Sequence, residues 1–312
     1  MRWAIVWLCV VGIAVPFSIA SAGEIKCHVT LGGADVAGAT VTLEPGAVSQ
    51  NTDAHGLCTF TGLAAGKYKL IAEKTVGGVL NGAISDVISL GATEGKSIDL
   101  ALSRAIRINE YIPLRVGNFW QYRNQRTTAG GTTTNTRRER AVGTDTVAGD
   151  PVTVIEVTWS GTSDSMKMYQ RSDSDGYGVY REARASDTLD YVPPIKVASL
   201  LPLGYTFSYE GHITYASGAA DSEIKMECRL VSFDAVTVPA GSFADCPRLE
   251  CKMSVDGALN RNTMWFAKGV GTVRNYEKND ERENKRSLEE YKLVPGIILP
   301  FRPLTPRMPR LP

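Results

Sequence analysis

The sequence has only three histidines, no excess of either charge and few of the motifs that mark enzymes. Its 34 Lys and Arg nearly balance its 33 Asp and Glu, so no long-range field favours nucleic acid as a partner. The motifs H-E-x-x-H, G-x-S-x-G and C-x-x-C are absent, and these mark metalloproteases, α/β-hydrolases and many zinc sites. We therefore expect no catalytic residue, no metal and no cofactor. A hydrolase with an unrecognised site is the alternative.

Long apolar runs are lacking except at the N-terminus. Arg2 precedes an apolar stretch at residues 4–15, and Ala20-Ser21-Ala22 matches a small-residue cleavage site, so residues 1–22 are predicted to be a cleavable signal peptide. The apolar stretch is shorter than the roughly 20 residues that span a bilayer, and no Cys stands at the cleavage point as in a lipoprotein. We expect an exported protein, periplasmic or extracellular, with no transmembrane span after cleavage.

Cysteine is also scarce, since five remain after cleavage and they fall into two groups. Export places them where disulfides persist. Proximity in sequence predicts one bridge within each group, Cys27 with Cys58 and Cys228 with Cys251, which leaves Cys246 free. Pairing of Cys228 with Cys246 is the alternative.

Turn and strand residues are abundant. The 30 Gly and 15 Pro stand among many Val and Thr residues, which predicts an all-β protein of short strands. In a first domain, residues 23–104, apolar and polar residues alternate, as at Ile25, Cys27 and Val29. Turn signals such as Asp53-x-x-Gly56 separate the predicted strands.

Three segments of this first domain resemble the carboxypeptidase regulatory-like family. They are residues 38–43 (GATVTL), residues 52–60 with the pattern T-D-x-x-G-x-x-x-F, and residues 62–70 (GLAAGKYKL). Members of that family are small transthyretin-like β-sandwiches that serve as non-catalytic modules of exported bacterial proteins. The resemblance implies an N-terminal β-sandwich and is nearly silent on function.

The second domain, residues 105–295, contains a repeated aromatic pattern. Trp120 and Tyr122 follow Gly117 with the same spacing by which Phe207 and Tyr209 follow Gly204, and residues two apart lie on one face of a strand. Hairpins are predicted for residues 138–147 with 152–159 and for residues 166–170 with 177–181. Residues 171–176 superficially follow a calcium loop, but an arginine stands where the first carboxylate ligand belongs, so a hairpin turn is predicted there.

Two further motifs carry a second resemblance. Residues 237–243 (TVPAGSF) and 265–273 (WFAKGVGTV), with the opening P-L-x-V-G-x-x-W at Pro113, are similar to motifs of uncharacterised bacterial envelope proteins and lipoproteins. The resemblance implies a large antiparallel, curved β-sheet, like the half-barrels of periplasmic lipoprotein carriers. It implies no established reaction.

The aromatic residues of these motifs are the candidate ligand site. In a half-barrel, Trp120, Tyr122, Trp265 and Phe266 would line the concave face and hold an apolar ligand; burial in the core is the alternative. We expect a non-enzymatic cell-envelope protein that acts in binding or assembly, with an envelope protein or a lipid-like molecule as partner. A carrier of a lipophilic ligand in the second domain is the first alternative.

The C-terminal part has two unusual compositions. Residues 277–286 are dense in both charges, which predicts a solvated hairpin tip or an edge strand, with a short helix as the alternative. In the tail, residues 296–312, proline recurs at every third position from Pro300 to Pro312. That period predicts a polyproline II-like segment or a disordered end.

Overall fold

A computed structural model of the protein describes residues 22–294. The predicted signal peptide, apart from Ala22, and the predicted Pro-rich tail lie outside the described residues. The structure is 73 % strand and 1 % helix, which confirms the predicted all-β class. No helix among residues 22–294 has the length and apolar character needed to cross a membrane.

The chain divides into two compact units. The described part of the first comprises residues 22–73 and 84–101, and that of the second comprises residues 74–83 and 102–294. Nine strands cover residues 23–107: β1 Gly23–Leu31, β2 Ala34–Asp35, β3 Thr40–Glu44, β4 Val48–Asn51, β5 Leu57–Leu63, β6 Gly66–Val76, β7 Val79–Ile84, β8 Ile88–Leu90 and β9 Gly95–Arg107. The end of β6, most of β7 and the end of β9 belong to the second unit.

Antiparallel pairing organises the first unit. Strand β1 pairs with β2 and β5, β3 with β4 and β6, and β6 with β8. The alternation predicted for β1 is present, because Ile25, Cys27 and Val29 are fully buried while the residues between them are not. These side chains supply the apolar surface that stabilises the unit.

The turn before β5 shows why its sequence reads Asp-x-x-Gly. The Asp53 carboxylate accepts hydrogen bonds from the backbone N–H groups of His55 at 2.8 Å and Leu57 at 2.9 Å, and both bonds lower the pKa of Asp53. Gly56 has φ +70°, and a Cβ there would lie 2.5 Å from the carbonyl oxygen of Val29. Both the conformation and the close approach therefore require glycine.

Twelve antiparallel strands of the second unit close into a barrel. They follow the 3-10 helix Ile108–Glu110 and are β10 Phe119–Thr128, β11 Gly131–Val147, β12 Asp150–Trp159, β13 Ser165–Asp173, β14 Gly176–Arg184, β15 Thr188–Ala198, β17 Thr206–Tyr215, β18 Ser222–Val238, β19 Gly241–Val255, β20 Ala258–Ala267, β21 Gly271–Lys278 and β22 Glu283–Lys292. A short strand outside the barrel, β16 Leu200–Pro202, pairs with β9.

Pairing of β10 with β22 closes the barrel, from Phe119 opposite Lys292 to Thr127 opposite Glu283. The predicted large, curved antiparallel sheet is present, and the structure contains both a curled half-barrel sheet and a closed barrel. Strand β22 has a partner on each side, so the charge-dense stretch is not an edge strand; only the turn between β21 and β22 is a hairpin tip. Both predicted hairpins are present, β11 with β12 and β13 with β14.

The cysteines differ in state between the two units. Cys228 and Cys251 stand directly opposite each other on β18 and β19 and form a disulfide, the pairing preferred from the sequence. Cys27 and Cys58 also face each other, on β1 and β5, but their thiols are free in the structure, as is that of Cys246. The thiol of Cys27 shares a hydrogen bond with Cys58, so the bridge between them is not formed here and stays a prediction.

Candidate functional site: the interior of the barrel

A cavity of about 280 Å³ lies inside the barrel. At about 30 Å³ per water molecule, that volume equals roughly nine waters. Its wall is mainly apolar. Many of the lining residues stand two apart on a strand, since such residues point to the same face. The apolar side chains that line it include Ile155, Ile195, Val197, Phe207, Met226, Leu249 and Met264.

The 3-10 helix and the segment after it also reach this interior. Ile108, Ile112, Pro113 and Leu114 line the cavity, and Ile108 packs in one apolar cluster with barrel residues such as Phe207. The disulfide between Cys228 and Cys251 lines the cavity as well. The wall thus combines rigid elements with flexible methionine side chains, which adapt to the shape of what they contact.

Three of the four aromatic residues predicted to form a ligand face line the cavity: Trp120, Tyr122 and Phe266. Trp120 and Tyr122 follow the period of a strand, as the sequence indicates. Trp120 is buried and donates a hydrogen bond from its indole Nε1 to the carbonyl oxygen of Val270 at 2.6 Å. That bond fixes the orientation of the indole ring in the wall.

Trp265 does not line the cavity, contrary to the prediction. It precedes Phe266 directly on β20, and neighbouring residues of a strand point to opposite faces. Its indole Nε1 donates to the Asp234 carboxylate at 2.8 Å, which also accepts a bond from Ser232. Burial of Asp234 opposes ionisation, but these two hydrogen bonds and the charge of Arg248 outweigh it and lower the pKa of Asp234.

A charged cluster of Arg137, Glu139 and Arg286 forms one part of the cavity wall. Arg137 Nε lies 2.6 Å from Glu139 Oε1, and Arg286 Nη1 lies 3.8 Å from the same oxygen. These side chains keep only 13 %, 15 % and 22 % of their surface accessible, respectively. This cluster was not predicted from the sequence.

Strand geometry explains how the cluster reaches the interior. Arg137 and Glu139 are two apart on β11, and Arg286 lies two residues before the fully buried Leu288 on β22. Strand β10 runs between them, with Tyr122 opposite both Arg137 and Leu288. All of these side chains therefore project into the barrel.

The surroundings of Arg286 are polar and enclosed. Its Nε donates to Asn275 Oδ1 at 3.0 Å, and Asn275, itself buried, donates onward to Asn262. Burial and then the positive charge of Arg137 lower the pKa of Arg286, while Glu139 opposes this. An arginine starts from so high a pKa that the group stays charged at neutral pH.

In the acidic turn at residues 171–176, the guanidinium of Arg171 contacts the carboxylates that a metal cation would contact in a calcium loop. Arg171 contacts Asp150 at 3.0 Å and Asp175 at 3.1 Å, and it also bonds Asp173. Asp173 pairs with Gly176 across the turn, so this is the predicted hairpin. Among residues 22–294, no group of three or more His, Cys, Asp and Glu side chains is placed to bind a metal ion.

The outer face of the barrel carries a second depression of about 480 Å³. Phe119, Arg138, Arg140, Glu156 and Lys292 are among its lining residues. Arg138 lies between Arg137 and Glu139 on β11 and is exposed, in keeping with the alternation of the strand. Arg138 and Glu156 are therefore an arginine and a glutamate on the outer face, which serve as controls for the arginines and the glutamate of the interior.

Comparison with known proteins finds no matching family and no matching curated protein. The similar solved structures include two bacterial proteins. A protein from Bacteroides fragilis NCTC 9343, provisionally described as exported and with a YmcC-like fold, is 17 % identical; the match covers 59 % of this chain and 99 % of that one, with a TM-score of 0.38. A protein from Parabacteroides distasonis ATCC 8503, provisionally described as a lipoprotein, is 12 % identical, with 60 % and 99 % coverage and a TM-score of 0.36. At TM-scores below 0.5, these likenesses assign neither a fold nor a function.

Proposed function

We propose that the protein is an exported, non-enzymatic binding protein of the cell envelope whose barrel holds a small lipophilic molecule. The observation that carries the proposal is the cavity of about 280 Å³. Protein interiors are ordinarily packed as densely as organic crystals. A mainly apolar space of this volume that the protein's own side chains do not fill is therefore exceptional, and an apolar ligand would fill it.

The chemistry of the wall supports an apolar ligand. Aromatic rings of Trp120, Phe207 and Phe266 and the thioethers of Met226 and Met264 line the space. A mostly apolar pocket with a few convergent polar groups is the usual form of a small-molecule site. The predicted signal peptide supports export. The resemblance of the first domain to carboxypeptidase regulatory-like modules supports a non-catalytic role for that part of the chain.

Binding can be tested with N-phenyl-1-naphthylamine, a neutral fluorophore whose emission rises in apolar surroundings. The full chain, purified after export, is titrated beside two variants. Val197→Phe adds a ring to the cavity wall, where Val197 is 7 % exposed, and Val142→Phe makes the same change where the valine is 42 % exposed and does not line the cavity.

We expect saturable binding at one site in the wild type and in Val142→Phe, with affinity lost or strongly reduced in Val197→Phe. Equal binding by all three proteins would show that the fluorophore lies elsewhere, and no saturable binding by the wild type would refute the proposal. Determination of the N-terminus of the exported protein tests the location, since cleavage after Ala22 leaves Gly23 first.

A further inference from the structure

The charged cluster is unusual for a cavity that is otherwise mostly apolar. Among the lining residues, the charged groups are the guanidinium groups of Arg137 and Arg286 and the carboxylate of Glu139, which gives a formal excess of one positive charge. Burying a charge is costly unless a counter-charge or hydrogen bonds compensate for it. Glu277 also favours the charged form of Arg286 but does not line the cavity, so a ligand that carries one negative charge would balance the lining itself.

Arg286 has donors to offer such a ligand. Its Nε is used by Asn275, and its Nη1 lies 3.8 Å from Glu139, beyond hydrogen-bond distance. Its Nη2 makes no hydrogen bond with the described residues, and 22 % of the side chain remains accessible although it lies inside the barrel. A guanidinium presents its N–H groups as a planar fork that matches a carboxylate.

Glu139 has a complementary role in this arrangement. It neutralises Arg137 through the contact at 2.6 Å and leaves Arg286 as the less tightly paired cation. Tyr122, on the strand between them, also lines the cavity. Its burial raises its pKa well above the ordinary value, so its hydroxyl keeps its proton at neutral pH and is a second donor.

We infer that the ligand is a single-chain monocarboxylate of medium length, whose carboxylate binds at Arg286 and whose alkyl chain lies against Trp120 and Phe266. The inference rests on the proposed function, because it names the chemical class that the same cavity takes. The volume of about 280 Å³ corresponds to about nine water-sized groups, which suits a chain of about ten carbons better than a long-chain lipid.

The test uses three ligands with the same alkyl chain: decanoate, decan-1-ol and decylamine. Each is titrated into the full chain by isothermal calorimetry at neutral pH. We expect decanoate to bind at least tenfold more tightly than decan-1-ol and decylamine to bind most weakly. Arg286→Gln is expected to lower decanoate affinity to that of decan-1-ol. Arg286→Lys should retain part of the preference, because it keeps the charge but not the planar fork, and the exterior control Arg138→Gln should retain all of it.

The outcomes separate this inference from the proposed function. Equal affinities for decanoate and decan-1-ol in the wild type would overturn the carboxylate assignment while leaving an apolar site in place. Tightest binding of decylamine would overturn it as well, since the cluster would then select a cation. If none of the three ligands and no N-phenyl-1-naphthylamine binds, both ideas fail. Because the ligand series needs no substitution, the test stands even if Arg286→Gln fails to fold.

Discussion

Replacing Glu139 by glutamine should have opposite effects on the stability of the barrel and on its affinity for a carboxylate. The substitution keeps the size of the side chain and removes the only negative charge of the charged cluster. Arg137 and Arg286 then face each other's positive charge inside the barrel, and only the more distant Glu277 still favours the charged form of Arg286. The ligand-free protein loses stability, whereas decanoate meets a formal charge of +2 instead of +1 and binds more tightly.

The size of the loss follows from the distances and the burial. At 3.8 Å between Arg286 and Glu139, a pair of unit charges contributes about 4 kcal/mol at an effective dielectric constant of 20. Removal of one partner of a buried pair typically costs about 3–5 kcal/mol. Because the three side chains keep 13–22 % of their surface accessible, we expect the lower end of that range, about 3 kcal/mol.

Urea unfolding followed by tryptophan fluorescence measures this loss. Trp120, Trp159 and Trp265 are the tryptophans of the described part of the chain, and all lie in barrel strands, so their emission reports unfolding of the second unit. With a slope of about 3 kcal/mol per M, the midpoint should fall by about 1 M. The control is Glu156→Gln, where the glutamate is exposed on β12.

Two results would refute this reasoning. A stability of Glu139→Gln within about 0.5 kcal/mol of that of Glu156→Gln, the usual scale for surface substitutions, would mean that the guanidinium groups do not need Glu139. A decrease in decanoate affinity in Glu139→Gln would mean that the carboxylate of Glu139 takes part in ligand binding in some other way than by balancing charge.

Three further predictions concern the ligand length, the disulfide and the Asp234 carboxylate of the barrel. Affinity for n-alkyl carboxylates should rise about fourfold per methylene, as about 0.8 kcal/mol per buried CH₂ implies, and level off near ten carbons; an unbroken rise to sixteen would contradict the cavity volume. Replacing Cys228 and Cys251 by alanine should lower the free energy of unfolding by about 3 kcal/mol, since the bridge closes a 23-residue separation; equal urea midpoints would contradict this. The lowered pKa of Asp234 stabilises the fold above the unfolded value of about 3.9, so the stability difference between wild type and Asp234→Asn should be constant above about pH 5. It should shrink as the pH falls below about 4, and a difference that does not vary with pH would refute the stabilisation of ionised Asp234 by Trp265, Ser232 and Arg248.

Local patterns in the sequence predicted the local structure well. The period of two places Trp120 and Tyr122 on the inner face, and the Asp-x-x-Gly sequence makes the turn before β5. The acidic hairpin was distinguished from a calcium loop by the position of Arg171, which binds the carboxylates itself. In each case the deciding contacts lie within a few residues or between adjacent strands.

Closure of the barrel and the charged cluster depend on contacts that are distant in sequence. Strands β10 and β22 pair across more than 150 residues, and no local pattern encodes that partnership. In β11, the run Arg137-Arg138-Glu139-Arg140 is charged at every position, so it shows no contrast between the inner and outer faces. The spacing of Arg286 and Leu288 on β22 was the one available signal that a charge projects inward.

A crystal structure of the full chain with decanoate would locate the ligand and its carboxylate. We predict one decanoate inside the barrel, with its carboxylate within hydrogen-bond distance of the Arg286 guanidinium and its chain against Trp120 and Phe266. Electron density for ordered water alone in the cavity, or decanoate only on the outer face beside Arg138 and Lys292, would contradict it.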